Sequence, residues 1–230
     1  GPPKLLFALV TLVTGSQVIL SMTRGAWAGL AGFGLFLVAV SGRRLLRVGN
    51  AALVVLSVLA VAGLVVASGA SRRLEHRAST ITDPAFIANL ERVNRWGAGL
   101  SMFRAEPLAG VGFGAYSDAY LSHRRVPLGT DQSRSRMGIH SEYLRVLAET
   151  GLVGALTTLL AMLVVARLAW RAIRGAGSPY LRGLSVGLAG GLVTYAIHGI
   201  VNNYMAYDKL AIPVWMAVGA LAAVDTLNRR

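Results

Sequence analysis

Six long apolar stretches constrain what this 230-residue chain folds into. They are Leu5–Leu20, Ala26–Val40, Ala51–Ala67, Leu152–Ala169, Leu184–Ile200 and Leu210–Val224. A hydrocarbon core of about 30 Å is crossed by around 20 apolar residues in a helix, and somewhat shorter stretches are accommodated by local thinning. The composition, 54% hydrophobic and 14% charged, is typical of an integral membrane protein. The sequence therefore predicts an all-α integral membrane protein with about six transmembrane helices.

The basic residues predict how these helices are oriented. Arginines concentrate in two connections and at the end of the chain: Arg43, Arg44 and Arg47; Arg167, Arg171, Arg174 and Arg182; Arg229 and Arg230. The opposite short loops hold only Arg24 and Lys209 as basic residues. Because basic loops stay in the cytoplasm, both termini are expected there. The net charge of +13 thus indicates membrane orientation rather than nucleic-acid binding.

This topology divides the chain into three segments. Residues 1–67 hold three transmembrane helices, 68–139 form a periplasmic or extracellular loop, and 140–230 hold three more transmembrane helices. The long outward loop is itself basic, although loops of this length are exempt from the orientation rule. Its charge is explained by an anionic ligand or, alternatively, by anionic lipid headgroups.

Part of the outward loop is predicted to be an amphipathic helix. Asp83-Pro84 is typical of a helix start, with the aspartate as N-cap and the proline in the first turn. Phe86, Leu90, Val93, Gly97 and Leu100 then follow helical spacing up to about Arg104. Such a helix is expected to lie on the bilayer surface. Arg92 and Arg95 are three residues apart and so share one of its faces.

A glycine-rich stretch, Pro107–Tyr116, follows this helix. Its glycines would let backbone N–H groups approach a phosphate closely. A purely structural turn is the alternative and is favoured over phosphate binding, because no strand precedes the stretch.

Ionisable residues gather where the long loop meets the fourth apolar stretch. His140 is followed by Glu142 and Tyr143, which begin a helix expected to continue into the membrane, and by Glu149. Ionisable groups at the rim of a bilayer are costly and therefore indicate function. For a lone histidine the alternative is a packed or headgroup-contacting side chain. With no cysteine and no zinc-ligand spacing among four histidines, neither metal nor cofactor is predicted.

Four motifs, in order, resemble the O-antigen ligase and polymerase superfamily. They are Thr23-Arg24-Gly25-Ala26-Trp27; Arg92-x3-Trp96 followed by Pro107-Leu-Ala-Gly-Val-Gly; His-Ser-Glu-Tyr-Leu-x4-Glu-x-Gly-x2-Gly from His140 to Gly154; and His198-Gly-Ile-Val-Asn-Asn203 with Asp208-Lys209 and Trp215. Family members usually carry more spans than six. The chain is therefore expected to be the C-terminal part of a longer protein of the bacterial inner membrane.

The resemblance implies a reaction and its substrates. It implies transfer of a glycan from a polyprenyl diphosphate carrier, such as undecaprenyl diphosphate, at the outer face of the cytoplasmic membrane. The acceptor is lipid A-core or a growing polysaccharide, membrane lipids surround the enzyme, and nucleic acid is not a partner. The implied mechanism inverts the sugar's configuration without metal or cofactor.

Roles follow for particular residues. His140 matches the family's essential histidine, so it is the candidate general base or a group that orients the acceptor. Arg24 and Arg92 are the candidate diphosphate ligands, because fixed arginines stabilise a leaving phosphate. For Arg24 the alternative is a snorkelling interfacial residue, and for Arg92 a solvated helix face. Further candidates for substrate binding are Arg95, Arg104, Glu142, Tyr143 and Glu149.

Glu142 and Glu149 are expected to polarise His140 or contact sugar hydroxyls, and Tyr143 to stack on a sugar or belong to an aromatic belt. His198 and Asn202, four apart, are expected to share a helix face. Two rival functions stay open: half of a transporter or flippase, whose polar sites lie near the bilayer midplane, and a non-catalytic membrane subunit.

Overall fold

The computed structural model describes residues 23–42, 87–124, 138–205 and 208–229, in which the regular elements are helices. They are α1 (Arg24–Ser41), α2 (Ile87–Ala105), α3 (Tyr116–His123), α4 (Glu142–Arg174), α5 (Pro179–His198) and α6 (Asp208–Leu227). The all-α prediction is confirmed for these ranges. The predicted spans Leu5–Leu20 and Ala51–Ala67 and the helix start at Asp83-Pro84 lie outside them.

The chain forms two compact units, Gly1–Pro84 and Ala85–Arg230. In the first unit, α1 contains the whole predicted span Ala26–Val40. It ends at Gly42, whose φ of 49° is one that glycine adopts at little cost. The second unit contains α2 to α6 and is described next.

Helix α4 is the longest described helix and contains a long apolar stretch. It has 33 residues with a mean hydropathy of 2.1 in its most apolar window, and 6% of that window is buried in the protein. A core helix of a soluble domain would be mostly buried, whereas here leucines and valines from Leu152 to Val164 are exposed. By length and composition α4 is able to cross a membrane.

The other predicted spans coincide with helices. Leu184–Ile200 overlaps α5, which ends two residues earlier at His198, and Leu210–Val224 lies within α6. Apolar stretches in α1 and α6, Gly25–Ser41 and Ala211–Leu227, are shorter than the α4 span. The number of membrane crossings therefore stays a prediction.

Helices α4, α5 and α6 pack against one another through small residues. The buried positions include Ala169, Ala172, Ser185, Ala189 and Gly190. Small side chains let helix backbones approach closely. In a lipid bilayer no hydrophobic effect drives helices together, and they associate through such close packing instead.

The main core cluster lies instead around the first turns of α4. It consists of Ala98, Met102, Tyr116, Tyr120, Ile139 and Ala148. Helix α2 packs on α4 with Ala98 and Met102 and on α3 with Asn94, while Leu90 near its start and Val93 on its other side are exposed. The helix itself is confirmed, and its proposed contact with the bilayer surface stays a prediction.

Helix α4 is interrupted at Gly151, and the glycine-rich stretch fills the interruption. Gly151 has φ 60° and ψ −157°, outside the helical region. On one side of the break, Leu152 and Val153 donate their N–H groups to the carbonyls of Pro107 and Leu108, at 2.8 and 3.2 Å. On the other side, Val111 and Gly112 donate to the carbonyls of Ala148 and Glu149, both at 3.0 Å. The two segments thus exchange backbone hydrogen bonds across the break.

This crossing requires glycine on both segments. A Cβ on Gly110 would lie 2.4 Å from the carbonyl carbon of Glu149, and a Cβ on Gly151 would lie 2.4 Å from the carbonyl oxygen of Leu108. The N–H groups of Gly110, Val111 and Gly112 all donate to backbone carbonyls, so they are not available to a phosphate. Of the two interpretations of this stretch, the structural one is right.

A series of glycine-to-alanine variants separates backbone strain from steric clash at this crossing. Gly187→Ala, in a helix with open space around it, should be neutral or stabilising by up to about 1 kcal/mol. Gly114→Ala has open space but a φ of +77° and should cost about 1–2 kcal/mol. Gly151→Ala adds a backbone clash to a positive φ and should cost roughly 3–5 kcal/mol. Thermal unfolding in detergent measures the loss of stability in each variant. If Gly151→Ala is destabilised no more than Gly114→Ala, the close crossing is disproved.

Candidate functional site

Some of the predicted site residues, among them His140, Arg95 and Glu142, lie where α2, the start of α4 and the α5–α6 connection come together. His140 lies two residues before α4 and is half-buried, with a φ of 54°. Ser141 follows as the helix N-cap, and its hydroxyl accepts a hydrogen bond from the N–H of Leu144 at 3.4 Å. Among the described residues, His140 is the one non-glycine residue with a positive φ. Such backbone strain concentrates at functional sites, because surrounding contacts must maintain it.

Charged groups of α2 surround His140. The pKa of His140 lies below its usual value, first because the ring is partly buried and then because Arg95 and, more weakly, Arg92 place positive charge near it. A side-chain hydrogen bond with Asn202 and the charge of Glu91 act in the opposite direction. The imidazole is therefore neutral at pH 7 and has a free electron pair with which to accept a proton.

Glu142 ties the start of α4 to the α5–α6 connection. Its backbone N–H donates to the carbonyls of Gly199 and Asn202, at 2.7 and 2.9 Å. Its carboxylate accepts the N–H groups of Tyr204 and Met205 at 2.8 and 3.1 Å. These bonds hold the segment that carries Asn202 beside His140.

Arg145 links Glu142 to the second buried carboxylate. It donates to Glu142 and, at 2.8 Å, to Glu149. All three residues are at least nine-tenths buried, and a buried charge is tolerated only when it is paired and hydrogen-bonded. Glu149 also accepts the N–H of Tyr116 at 3.3 Å.

Two tyrosines of α3 connect this ion cluster to α2. The Tyr116 hydroxyl donates to the backbone carbonyl of Arg95 at 2.8 Å. The Asn94 side chain donates to the Tyr120 hydroxyl at 3.2 Å. Burial raises the pKa of Tyr116 well above its usual value, so its hydroxyl stays a donor. A continuous chain of contacts thus runs from Arg145 through Glu149 and Tyr116 to Arg95.

Among the residues that the structure describes, three buried N–H groups in this region have no hydrogen-bond partner. They are Arg95 Nε, Trp96 Nε1 and Arg145 Nε. Buried donors in native proteins are nearly always satisfied, and exceptions indicate an unseen partner or a catalytic role. All three are donors, so the partner they lack is an acceptor, such as a phosphate or sugar oxygen.

The other predicted site residues, Arg104, Tyr143 and Arg24, have different surroundings. Arg104 is exposed near the end of α2, about 14 Å further along the helix than Arg95. Tyr143 donates its hydroxyl to the Ala196 carbonyl at 2.7 Å, so that group ties α4 to α5. Arg24 begins α1 in the other unit. Their substrate contacts, like those of the buried Glu142 and Glu149, stay predictions.

The expectation that His198 and Asn202 share a helix face is wrong. Helix α5 ends at His198 and Asn202 lies in the irregular segment after it, because Gly199 closes the helix. The His198 ring contacts the hydroxyl of Tyr204, with Nε2 at 2.7 Å, while Asn202 bonds to His140.

Sequence reasoning missed Arg145 and Glu91. The spacing Glu142-x2-Arg145-x3-Glu149 places one arginine within reach of two carboxylates on a helix face, and this signal was present. Glu91 pairs with Arg95 at 3.2 Å, again four residues apart. Within the described residues, no three histidine, cysteine or acidic side chains converge as ligands for a metal ion.

A family model described as O-antigen ligase matches residues 7–159, more than half of the chain. The chain belongs to the O-antigen ligase family. This is a family of bacterial membrane proteins, glycosyltransferase-like ligases and polymerases that act on lipid-linked polysaccharides. The matched residues include His140, both arginines beside it and the Arg145 ion cluster. A comparison with curated proteins gives no match.

Removal of the cation from the buried cluster should unfold this region. Arg145→Met leaves two buried carboxylates without their partner and should destabilise the protein by about 3–5 kcal/mol. Arg104→Met, at an exposed position of α2, should change stability by less than about 0.5 kcal/mol. Thermal unfolding in detergent provides the comparison.

The triple variant Glu142→Gln/Arg145→Met/Glu149→Gln removes all three charges and should recover part of the loss. No recovery in that variant would show that the arginine's packing, rather than its charge, stabilises the cluster.

Proposed function

We propose that this chain supplies the catalytic site for transfer of a glycan from a polyprenyl diphosphate carrier to an acceptor hydroxyl. The reaction takes place at the outer face of the bacterial inner membrane. In the proposed topology, with six spans and both termini in the cytoplasm, His140 and the long loop lie on that face. Family membership and the exposed apolar surface of α4 support this setting.

The observation that carries the proposal is the meeting of a neutral histidine with two arginines at the start of α4. The acceptor oxygen attacks the anomeric carbon from the side opposite the diphosphate and passes its proton to an imidazole nitrogen of His140. The bond from the anomeric carbon to the diphosphate oxygen breaks, which inverts the configuration. Arg92 and Arg95 stabilise the negative charge that the diphosphate gains.

The unpartnered donors support this arrangement. Arg95 Nε and Trp96 Nε1 lie on the same helix as Arg92 and are buried without acceptors among the described residues. Diphosphate oxygens would satisfy them. Arg24 is proposed as a further diphosphate ligand, on the strength of its matching motif. With arginines neutralising the leaving group, the proposed reaction does not require a metal ion.

The rival transporter function would make use of the interruption in α4, because transporters bind substrates at broken helices. Here the backbone groups on both sides of Gly151 are bonded to residues 107–112. The break is therefore filled by the protein itself, which favours an enzyme with its site at the membrane rim.

The full-length protein, reconstituted with a polyprenyl-diphosphate-linked glycan and lipid A-core, tests this function. The informative variant is His140→Asn, because asparagine tolerates the left-handed backbone found there. It should fold normally yet lose transfer by at least about 100-fold. His123→Asn, at the end of α3, is the matched control and should retain activity.

The product identifies the acceptor. Sugar on lipid A-core indicates a ligase, and longer chains on the carrier indicate a polymerase. A His140→Asn variant as active as the parent would rule out the assigned base.

The pH dependence of kcat/KM should respond in opposite directions to two substitutions. The acid limb of this pH profile reports the pKa of the base in the free enzyme. It should lie at a pH below the usual pKa of histidine. Arg95→Gln removes a positive charge, so the pKa of His140 rises and the limb moves to higher pH. Asn202→Leu removes the hydrogen bond that raises this pKa, so the limb moves to lower pH. Shifts in the same direction would contradict the described surroundings of His140.

A further inference from the structure

At the opposite end of α4 from His140, an open cavity of about 660 Å³ lies between the ends of α4 and α6. The residues that define it are Trp170, Arg171, Arg174, Asp225, Asn228 and Arg229. Helix α4 breaks at Gly151. Arg171 follows Leu152, the first residue after the break, by 19 positions, which corresponds to about 29 Å of helix. The hydrocarbon core of a bilayer is about 30 Å thick. The cavity and the break, beyond which His140 lies, are thus separated by about the thickness of that core.

A buried aspartate orients two of the cavity's arginines. Asp225 accepts from Arg171 at 2.5 and 3.2 Å and pairs with Arg229 at 3.1 Å. Its side chain is 12% exposed, whereas those of Arg171 and Arg229 are 38% and 62% exposed. The carboxylate therefore lies at the base of the cluster, and the guanidinium groups extend toward the cavity opening.

The third arginine is oriented by an aromatic ring. The Arg174 guanidinium carbon lies 4.4 Å from the centre of the Trp170 ring, a distance typical of a cation–π contact. Trp170 is half exposed, and tryptophan is enriched at membrane–water interfaces. Asn228 helps to close this end of the bundle, donating to the Ala172 carbonyl at 3.4 Å and accepting from Gly177 N–H at 3.3 Å.

The cavity has an excess of positive charge. Three arginines face one aspartate among its lining residues, which leaves two positive charges for a ligand. Guanidinium groups match the geometry of phosphate oxygens. We propose that this cavity binds the phosphodiester of an anionic lipid headgroup.

The position favours a lipid over a soluble phosphate. The apolar stretches of α4 and α6 end at Ala169 and Val224, immediately before Trp170 and Asp225, the first cavity residues on each helix. A headgroup phosphate is held at this depth by its own acyl chains, and basic pockets between helix ends at the cytoplasmic side bind such lipids. The leaflet follows from the proposed topology, whereas the binding itself is independent of glycan transfer.

Native mass spectrometry of the delipidated full-length protein tests the proposal. The protein is titrated with phosphatidylglycerol and, separately, with phosphatidylcholine, and the tightest-bound lipid is quantified. Phosphatidylglycerol should bind more tightly. Arg174→Gln and Arg229→Gln should each weaken it about fivefold, and the double variant about thirtyfold. Arg182→Gln, in the first turn of α5 and outside the cavity lining, should change it less than twofold.

Both substituted arginines are exposed, and the Arg171–Asp225 pair is kept, so the fold should persist. If the double variant fails to fold, the two single variants make the same comparison. Parent-like binding in the substituted proteins, or an equal loss in Arg182→Gln, would overturn the site. Complete displacement of the lipid by millimolar inorganic phosphate or glycerol phosphate would make it a soluble-anion site instead and overturn the lipid assignment.

Discussion

The candidate site depends on a single buried cation. Arg145 lies between Glu142 and Glu149, and each carboxylate in turn fixes a different neighbouring segment. Glu142 holds the α5–α6 connection through the N–H groups of Tyr204 and Met205, while Glu149 holds the start of α3 through Tyr116. Replacing such a cluster with apolar residues is often tolerated, whereas removing one member is not. Besides any contribution to stability, these three charged side chains therefore determine which segments surround His140.

The charged residues of the site form two layers, a buried ion cluster and a positive layer. The ion cluster carries one net negative charge and is almost closed to solvent, and its bonds are directed to the protein. Partial burial of the His140 ring lowers its pKa, and the positive layer, Arg92 and Arg95 on α2, lowers it further. An arginine beside a histidine thus serves two purposes in the proposed reaction, because the charge that attracts a diphosphate also preserves the basic form of the imidazole at pH 7.

Most of the helices could be predicted from the sequence, because apolar length and helical spacing are local properties. The roles of His140, Arg92 and Arg95 came instead from the resemblance of their motifs to a known family. The alternative roles of the glycine-rich stretch could not be separated, because its purpose depends on a partner segment about forty residues away at Gly151. Asn202 was assigned to a helix face because helical spacing was extended past Gly199, where α5 ends. Arg145 was overlooked although its spacing from Glu142 and Glu149 is local. What sequence could not supply was the pairing of distant backbone groups.

The crossing of residues 107–112 with α4 also sets an order of assembly. The glycine-rich stretch is synthesised before residues 148–153, so its hydrogen-bonding partners do not yet exist when it leaves the ribosome. In the proposed topology, the glycine-rich stretch reaches the outer face before its partners. It remains there until the fourth apolar stretch has entered the membrane. The outer structure around His140 therefore matures last, as a consequence of insertion. Helix α4 is completed by its bonds to the earlier residues 107–112. The site is therefore complete only once the chain is correctly placed in the bilayer.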